Sequence, residues 1–165
     1  MNLREVLKEE KQKNGTIKEV NKESQEFIVF TIKTRWFAIE LDSIVEIGEI
    51  ENYINFPMAP VYIKGLQFVH GNPVILFDIL GVLENNDIFD PKNIKGHTII
   101  ILKYDEDFFG IIISELIETI SIPKEKTLFT PELGEFYKGT FKYKDKTVSI
   151  LDIKQIINST YNLEK

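Results

Sequence analysis

Short apolar runs, separated by charged or turn-forming residues, recur about every ten positions from Glu26 onward. β-branched and aromatic side chains dominate these runs, which is typical of strands. The pattern predicts ten of them: Phe27–Lys33, Trp36–Leu41, Val45–Ile50, Gly65–Val69, Pro73–Phe77, Thr98–Tyr104, Phe108–Ile113, Thr119–Ile122, Gly139–Tyr143 and Thr147–Leu151. Hairpin-sized connections between them favour barrels or sandwiches over a parallel sheet with crossover helices.

The chain also repeats itself once. Shifted by 72 positions, segment 35–47 aligns with 107–119 in its apolar pattern, and shifted by 74, segment 74–79 aligns with 148–153. A repeat of this length that recurs only twice predicts two similar small barrels related by a pseudo-twofold axis. Because each barrel alone would be marginally stable, we expect an apolar layer between them, and the barrels can exchange strands.

The first 25 residues differ from the rest of the chain. They are rich in charges of both signs, and their few apolar residues include Leu3, Val6 and Leu7 at helical spacing. This predicts a charged tail or short helix over residues 1–25, followed by one folded domain over 26–165. The repeat units within that domain cover about residues 26–92 and 97–157.

Composition narrows the classes of function. The chain has 165 residues, a net charge of −6 and no cysteine. The negative charge and the lack of a basic run disfavour nucleic acid as a partner. Neither a signal peptide nor a stretch long and apolar enough to span a membrane occurs, so we expect a cytoplasmic protein without direct membrane insertion.

The sequence offers little for catalysis. It contains two histidines, His70 and His97, and none of the common hydrolase, phosphate-binding or dinucleotide-binding motifs. The acidic hairpin at Asp105–Asp107 resembles the start of a calcium loop, but apolar Phe109 and Leu116 occupy two of the ligand positions. We therefore expect no catalytic residues, no metal site and no cofactor.

Two pairs of polar residues recur at equivalent places in the repeat. Asp78 and Asp152 each follow an apolar strand and precede a predicted helix, which favours a helix N-cap role. Lys64 and Lys138 each precede a glycine, where a tight turn or a close backbone approach is expected.

Several short motifs occur in a fixed order and are doubled. In the first unit these are Gln25–Phe30, Phe37–Ile39, Ile44–Ile47, Tyr62–Gly65 and Val74–Ile79, and in the second Phe109–Ser114, Tyr137–Gly139 and Ile150–Lys154. Their order, spacing and doubling resemble the CheW-like domain family over nearly the whole chain.

The resemblance implies an all-β fold of two five-stranded, SH3-like barrels packed together, with short terminal helices. It also implies a non-catalytic chemotaxis adaptor. Such an adaptor couples the cytoplasmic tips of chemoreceptors to the regulatory domain of the histidine kinase CheA. The protein would then reach membrane-associated signalling arrays through these partners.

Site residues follow from the resemblance by motif position. A groove between the barrels that receives the receptor tip would be lined by Leu41, Ile44, Ile47 and Leu116. Each of these four aliphatic residues is equally well explained as part of the core. Exposure in a structure separates the two interpretations, because a binding residue must reach solvent.

The kinase-binding surface would include Phe56, Pro57 and His70. His70 stands where the family has an arginine that pairs with a glutamate, here Glu46. Because histidine is largely uncharged at pH 7 and lacks the bidentate geometry of arginine, the salt bridge does not carry over unchanged. We therefore hypothesise a divergent member with altered kinase or receptor preference.

Three alternatives remain open. The chain is consistent with a CheW-like scaffold for another two-component kinase pathway and with an SH3-like module for proline-rich peptides. It is also consistent with a small ligand-binding protein or enzyme whose site gathers Glu46, His70 and Asp78. A closed pocket with convergent polar groups would favour the last alternative, and a shallow apolar groove would favour an adaptor.

Overall fold

The structure is a computed structural model that describes residues 23–84 and 88–163. Most of the prediction for residues 1–25 therefore lies outside the described residues. The ten strands are β1 (Ser24–Ile32), β2 (Arg35–Glu40), β3 (Ile44–Glu49), β4 (Ile63–Val69), β5 (Asn72–Phe77), β6 (Thr98–Tyr104), β7 (Asp107–Ile113), β8 (Glu115–Pro123), β9 (Tyr137–Tyr143) and β10 (Lys146–Leu151). Within the described residues, two α-helices, α1 (Ile79–Glu84) and α2 (Ile153–Leu163), each follow the last strand of a repeat unit. All ten predicted strands are present with small differences at their ends, except that β8 begins at Glu115, four residues before the predicted start at Thr119.

The strands form two five-stranded sheets, so the predicted all-β fold of two barrels is confirmed. One has the order β8-β1-β2-β10-β9 and is called the β8 barrel here, and the other, β3-β6-β7-β5-β4, is the β3 barrel. Neighbouring strands are antiparallel except for the pairs β2–β10 and β5–β7, which are parallel. Each barrel therefore combines strands from both halves of the chain.

Strands β1 and β2 are buried on both faces. Phe27 and Val29 of β1 pack into a small core with Phe141, Val148 and other residues of the β8 barrel. The alternate side chains of β1, including Phe30, belong to a larger core that also contains residues of the β3 barrel. This larger core is the apolar layer expected between the barrels. It explains why the apolar runs in β1, β6 and β7 are continuous instead of alternating.

Two glycines close the barrels at equivalent places. A short bridge pairs Ile54 with β4 in the β3 barrel, and an equivalent bridge pairs Leu128 with β9 in the β8 barrel. A Cβ atom at Gly65 would lie 2.7 Å from the Ile54 carbonyl oxygen, and one at Gly139 would lie 2.8 Å from that of Leu128. Both glycines also have positive φ angles. Only glycine allows the bridging segment to approach the strand so closely.

Both helices begin at the predicted aspartates. Asp78 accepts a hydrogen bond from the Gly81 amide at 3.1 Å, and Asp152 accepts one from the Gln155 amide at 3.2 Å. The predicted N-cap roles are therefore confirmed.

The Asp78 carboxylate is also the centre of a buried polar cluster. It accepts hydrogen bonds from the Ile88 and Phe89 amides at 3.2 and 3.0 Å, and the Lys64 ammonium lies 3.8 Å away. Burial raises the pKa of Asp78 above its ordinary value of 3.8, and the Phe89 and Gly81 amides and the Lys64 ammonium counteract this rise. The cluster ties segment 88–89 to the start of α1.

Alanine at Gly139 should destabilise the protein, because its Cβ would collide with the Leu128 carbonyl and the backbone would be strained. We expect Gly139→Ala to lower the free energy of unfolding by roughly 2–4 kcal/mol. Gly48→Ala is the matched control, since a Cβ there meets only flexible isoleucine side chains at 3.4 Å or more. Urea unfolding measures both variants, and equal losses would contradict the close-approach argument.

Removing Lys64 should leave the Asp78 charge buried without its cation. We expect Lys64→Met to lower the free energy of unfolding by about 3–5 kcal/mol at pH 7. Lys138→Met, at the equivalent position, should cost less than about 1 kcal/mol because Lys138 pairs with Glu40 at the surface.

The loss of unfolding free energy caused by Lys64→Met should become smaller at low pH. Without Lys64 the folded-state pKa of Asp78 rises further above its unfolded value. The carboxyl then takes up a proton while the protein is still folded, and the uncompensated charge disappears as the pH falls. Urea unfolding at pH 7 and pH 4.5 measures this, and a loss that stays constant or grows on acidification would contradict it.

Candidate protein-binding surfaces

The end strands of the two sheets carry exposed aliphatic side chains. Ile47 on β3 is 39% exposed and Leu116 on β8 is 40% exposed, and Val45 on β3 is more exposed still. The exposed carboxylates Glu49 and Glu115 lie on the same two strands. The term edge-strand surface is used here for the exposed aliphatic residues on the end strands of the two sheets, Val45, Ile47 and Leu116, which have acidic neighbours along their strands.

The four predicted groove residues fall into two groups. Ile47 and Leu116 are exposed and available to a partner. Leu41 is half-buried in the short 3-10 turn after β2, and Ile44 is half-buried against the larger core. Two of the four predicted groove residues are therefore exposed, and the other two are partly used for packing.

Sequence reasoning missed Val45. A bulge between Ile44 and Glu46 leaves Val45 without a direct partner on β6, and its side chain points to solvent with that of Ile47. The alternation of side chains along a strand puts residues 45 and 47 on one face. That periodicity, read backward from Ile47, could have identified Val45.

A second exposed apolar surface lies on the β3 barrel. Ile54 and Phe68 are 58% and 60% exposed and line a shallow depression together with Tyr53 and Leu66. The predicted kinase-binding residues Phe56 and Pro57 follow Ile54 in the same connection between β3 and β4, and both are exposed. The β4 surface is defined here as Ile54, Phe56, Pro57 and Phe68. Its members Ile54 and Phe68 were missed because a strand pattern does not show which face of an end strand stays open.

Gln67 fixes the connection that carries this surface. Its buried side chain donates to the Glu49 carbonyl at 3.0 Å and accepts from the Glu51 amide at 2.8 Å. The Tyr53 hydroxyl donates to the Pro91 carbonyl at 2.6 Å. These contacts hold the backbone around Ile54 against β4, so the surface is preorganised.

His70 and Glu46 meet at the tip of the β4–β5 hairpin. His70 Nε2 lies 3.1 Å from Glu46 Oε2, and the His70 side chain is mostly exposed. Glu46 stands on β3 between Val45 and Ile47. The contact therefore links the hairpin beside the β4 surface to strand β3, where the Glu46 side chain lies on the opposite face from Val45 and Ile47.

The structure does not assemble the alternative site of Glu46, His70 and Asp78. Asp78 is fully buried and engaged with backbone amides and Lys64, whereas His70 lies at an exposed hairpin tip. Within residues 23–84 and 88–163, no group of three acidic or histidine side chains could hold a metal ion. None of the helices described is long and apolar enough to cross a membrane.

The β8 barrel has an exposed apolar site of its own. Leu128 and Phe129 are largely exposed in the connection between β8 and β9. Leu128 forms the bridge equivalent to that of Ile54, so the two barrels expose apolar residues at related places.

Comparison with known proteins agrees with this architecture. A family model described as the CheW-like domain matches residues 26–161. The chemotaxis protein CheW of Helicobacter pylori is 24% identical over 164 residues, covering 96% of this chain and 98% of that protein. The chemotaxis protein CheW of Klebsiella aerogenes is 21% identical over 140 residues, covering 82% of each chain.

A solved structure shares the fold. The scaffolding protein TtCheW from Thermoanaerobacter tengcongensis superposes with a TM-score of 0.68 at 20% identity, over 80% of this chain and 86% of that chain. The family match covers the two barrels and most of α2. This chain therefore belongs to the CheW-like domain family.

Proposed function

We propose that this protein is a non-catalytic adaptor that couples chemoreceptor tips to the histidine kinase CheA. The observation that carries the proposal is that a member of the CheW-like family exposes apolar side chains in separate places, among them the edge-strand surface and the β4 surface. Soluble proteins rarely expose large apolar patches unless a partner covers them. Two such surfaces suit a protein that binds two partners at once.

The edge-strand surface is the proposed receptor site. Val45, Ile47 and Leu116 supply aliphatic anchors of the kind that hold a helix in a groove. Glu49 and Glu115 would form a polar rim that favours basic residues on the receptor helices. Leu41 and Ile44 support these anchors from positions that are partly buried.

The β4 surface is the proposed kinase site. Phe56 and Phe68 are large, exposed aromatic side chains, a residue type that often dominates the energy of protein interfaces. Pro57 stiffens the connection, and Gln67 holds it in place. We place the regulatory domain of CheA on this surface and expect the protein to reach receptor arrays through its two partners.

His70 distinguishes this adaptor from family members that carry an arginine at this position. The hairpin that bears it joins the β4 surface, while its partner Glu46 lies within β3. A histidine here makes a weaker and pH-dependent link where an arginine would make a permanent one. The proposed consequence is a divergent adaptor with altered preference for its kinase or receptor.

A charge placed within each surface should separate binding to receptor tips from binding to CheA. We expect Ile47→Asp and Leu116→Asp each to weaken binding to receptor tips at least about tenfold with unchanged binding to CheA, because a buried unpaired charge is costly. Phe68→Asp should show the opposite selectivity. Binding assays with each purified partner measure this.

The control for these variants is Ser121→Asp, which adds the same charge to an exposed position of β8 without removing an aliphatic side chain. It should bind both partners as the unmodified protein does. If all three surface variants bind both partners as tightly as the unmodified protein does, the proposed assignment of the two surfaces is wrong.

Replacing His70 by arginine should strengthen the link to Glu46. Exposed ion pairs typically contribute about 0.2–1 kcal/mol, so we expect a change in CheA affinity of up to about fivefold. Lys144→Arg, at the equivalent hairpin of the β8 barrel, is the matched control and should have no effect. Equal binding and equal kinase activation by the unmodified protein and His70→Arg in a reconstituted array would remove the hypothesis of altered preference.

A further inference from the structure

The connection between β3 and β4 contains an exposed stretch without charge. Residues 52–63 are twelve consecutive positions with no charged side chain, although 28% of the residues in the whole chain are charged. Four apolar side chains of this stretch are exposed, namely Ile54, Phe56, Met58 and Val61. Exposed apolar groups that lie together are typical of a surface that a partner covers.

The equivalent connection of the β8 barrel has a different chemistry. Its bridge at Leu128 corresponds to the bridge at Ile54, and the same shift of 74 positions aligns Met58 with Glu132. Both residues follow a proline. Glu132 is charged and exposed, and it lies in a short 3-10 turn. The repeated fold therefore does not require an apolar residue at this place.

Met58 also has an unfavourable backbone conformation. It forms a turn with Pro57, and its φ angle is 64°. A turn with proline first and a positive φ second prefers glycine or asparagine at the second position, because a larger side chain crowds the backbone there. In the described ranges, the other non-glycine residues with positive φ are lysines, aspartates and His70, all at hairpin turns. Met58 is the apolar residue among them.

Packing within the chain does not offset this strain. The Met58 side chain is fully exposed, so it contributes to neither core. An apolar side chain in water and a strained backbone are both unfavourable for folding. A residue that breaks the local rules of its turn without a gain in packing points to a role in function.

The connection holds Met58 in a fixed position. Ile54 exchanges two backbone hydrogen bonds with Leu66, both of 2.8 Å, and the Ile63 amide donates to the Pro60 carbonyl at 3.0 Å. Pro60 and the proline before Met58 restrict the backbone between these bonds. A side chain that projects from a rigid turn loses little backbone entropy when a partner binds it.

We propose that Met58 is an apolar anchor of the kinase site and inserts into a pocket of the CheA regulatory domain. The proposal rests on the proposed function, because Met58 directly follows Phe56 and Pro57 of the β4 surface. Methionine is enriched at interfaces, and its flexible thioether side chain fills pockets of irregular shape. Because the segment around Met58 carries no charge, the pocket that receives it is apolar and uncharged as well.

Asparagine at position 58 separates the role in binding from the effect on folding. Met58→Asn suits the positive φ angle and removes the apolar side chain, so it should unfold at the same urea concentration or a higher one. We expect its affinity for the CheA regulatory domain to fall at least about tenfold, as for other buried interface anchors. Its affinity for receptor tips should not change.

Three further variants complete the test. Met58→Leu keeps an apolar side chain of similar volume and should bind CheA within about threefold of the unmodified protein. Glu132→Asn, at the equivalent turn of the β8 barrel, is the matched control and should leave CheA affinity unchanged. Phe68→Asp, measured in the same assay, tests the proposed kinase site itself.

Unchanged CheA binding by Met58→Asn would overturn the proposal. If Phe68→Asp then loses binding, the kinase site stands without Met58, and if it does not, the kinase site is wrong as well. An equal loss of binding with Met58→Leu or Glu132→Asn would show that an apolar side chain at position 58 is not what the kinase recognises. A lower unfolding free energy for Met58→Asn would assign the methionine to the fold. Loss of a dimer in light scattering, with CheA affinity intact, would assign it to a second copy.

Discussion

The whole structure depends on the burial of β1 and β2 on both faces. One face fills the small core of the β8 barrel, and the other packs into the larger core shared with the β3 barrel. Apolar burial stabilises a fold roughly in proportion to the area removed from water. Two barrels of five strands would each have little core, and the shared layer lets them behave as one folded unit.

This arrangement determines which strands remain for partners. The central strands of both sheets are covered on both faces, so exposed apolar residues are left on β3, β4 and β8 and on the connections beside them. Gln67 and the close approach at Gly65 then make the β4 surface rigid, which lowers the entropy cost of binding. Stability and binding thus use different faces of the same sheets.

The repeat keeps its backbone while its side chains diverge. The glycines, the helix caps and the short bridges agree between the halves. The lysine beside each glycine does not, because Lys64 is buried against Asp78 and Lys138 lies at the surface with Glu40. Only glycine fits where two backbone segments approach so closely, whereas the lysine beside it can be buried or exposed according to the residues that surround it.

The sequence by itself determined the ten strands, the twofold repeat, the two helix caps and the family, because these follow from local periodicity and motif spacing. Only the tertiary structure decided which strands share a barrel, since pairing such as that of β1 with β8 joins distant residues. It also decided exposure. Ile44 and Ile47 are the same residue type on one strand, and only the packing of β3 shows that the face with Ile44 lies against the larger core and the face with Ile47 is open to solvent.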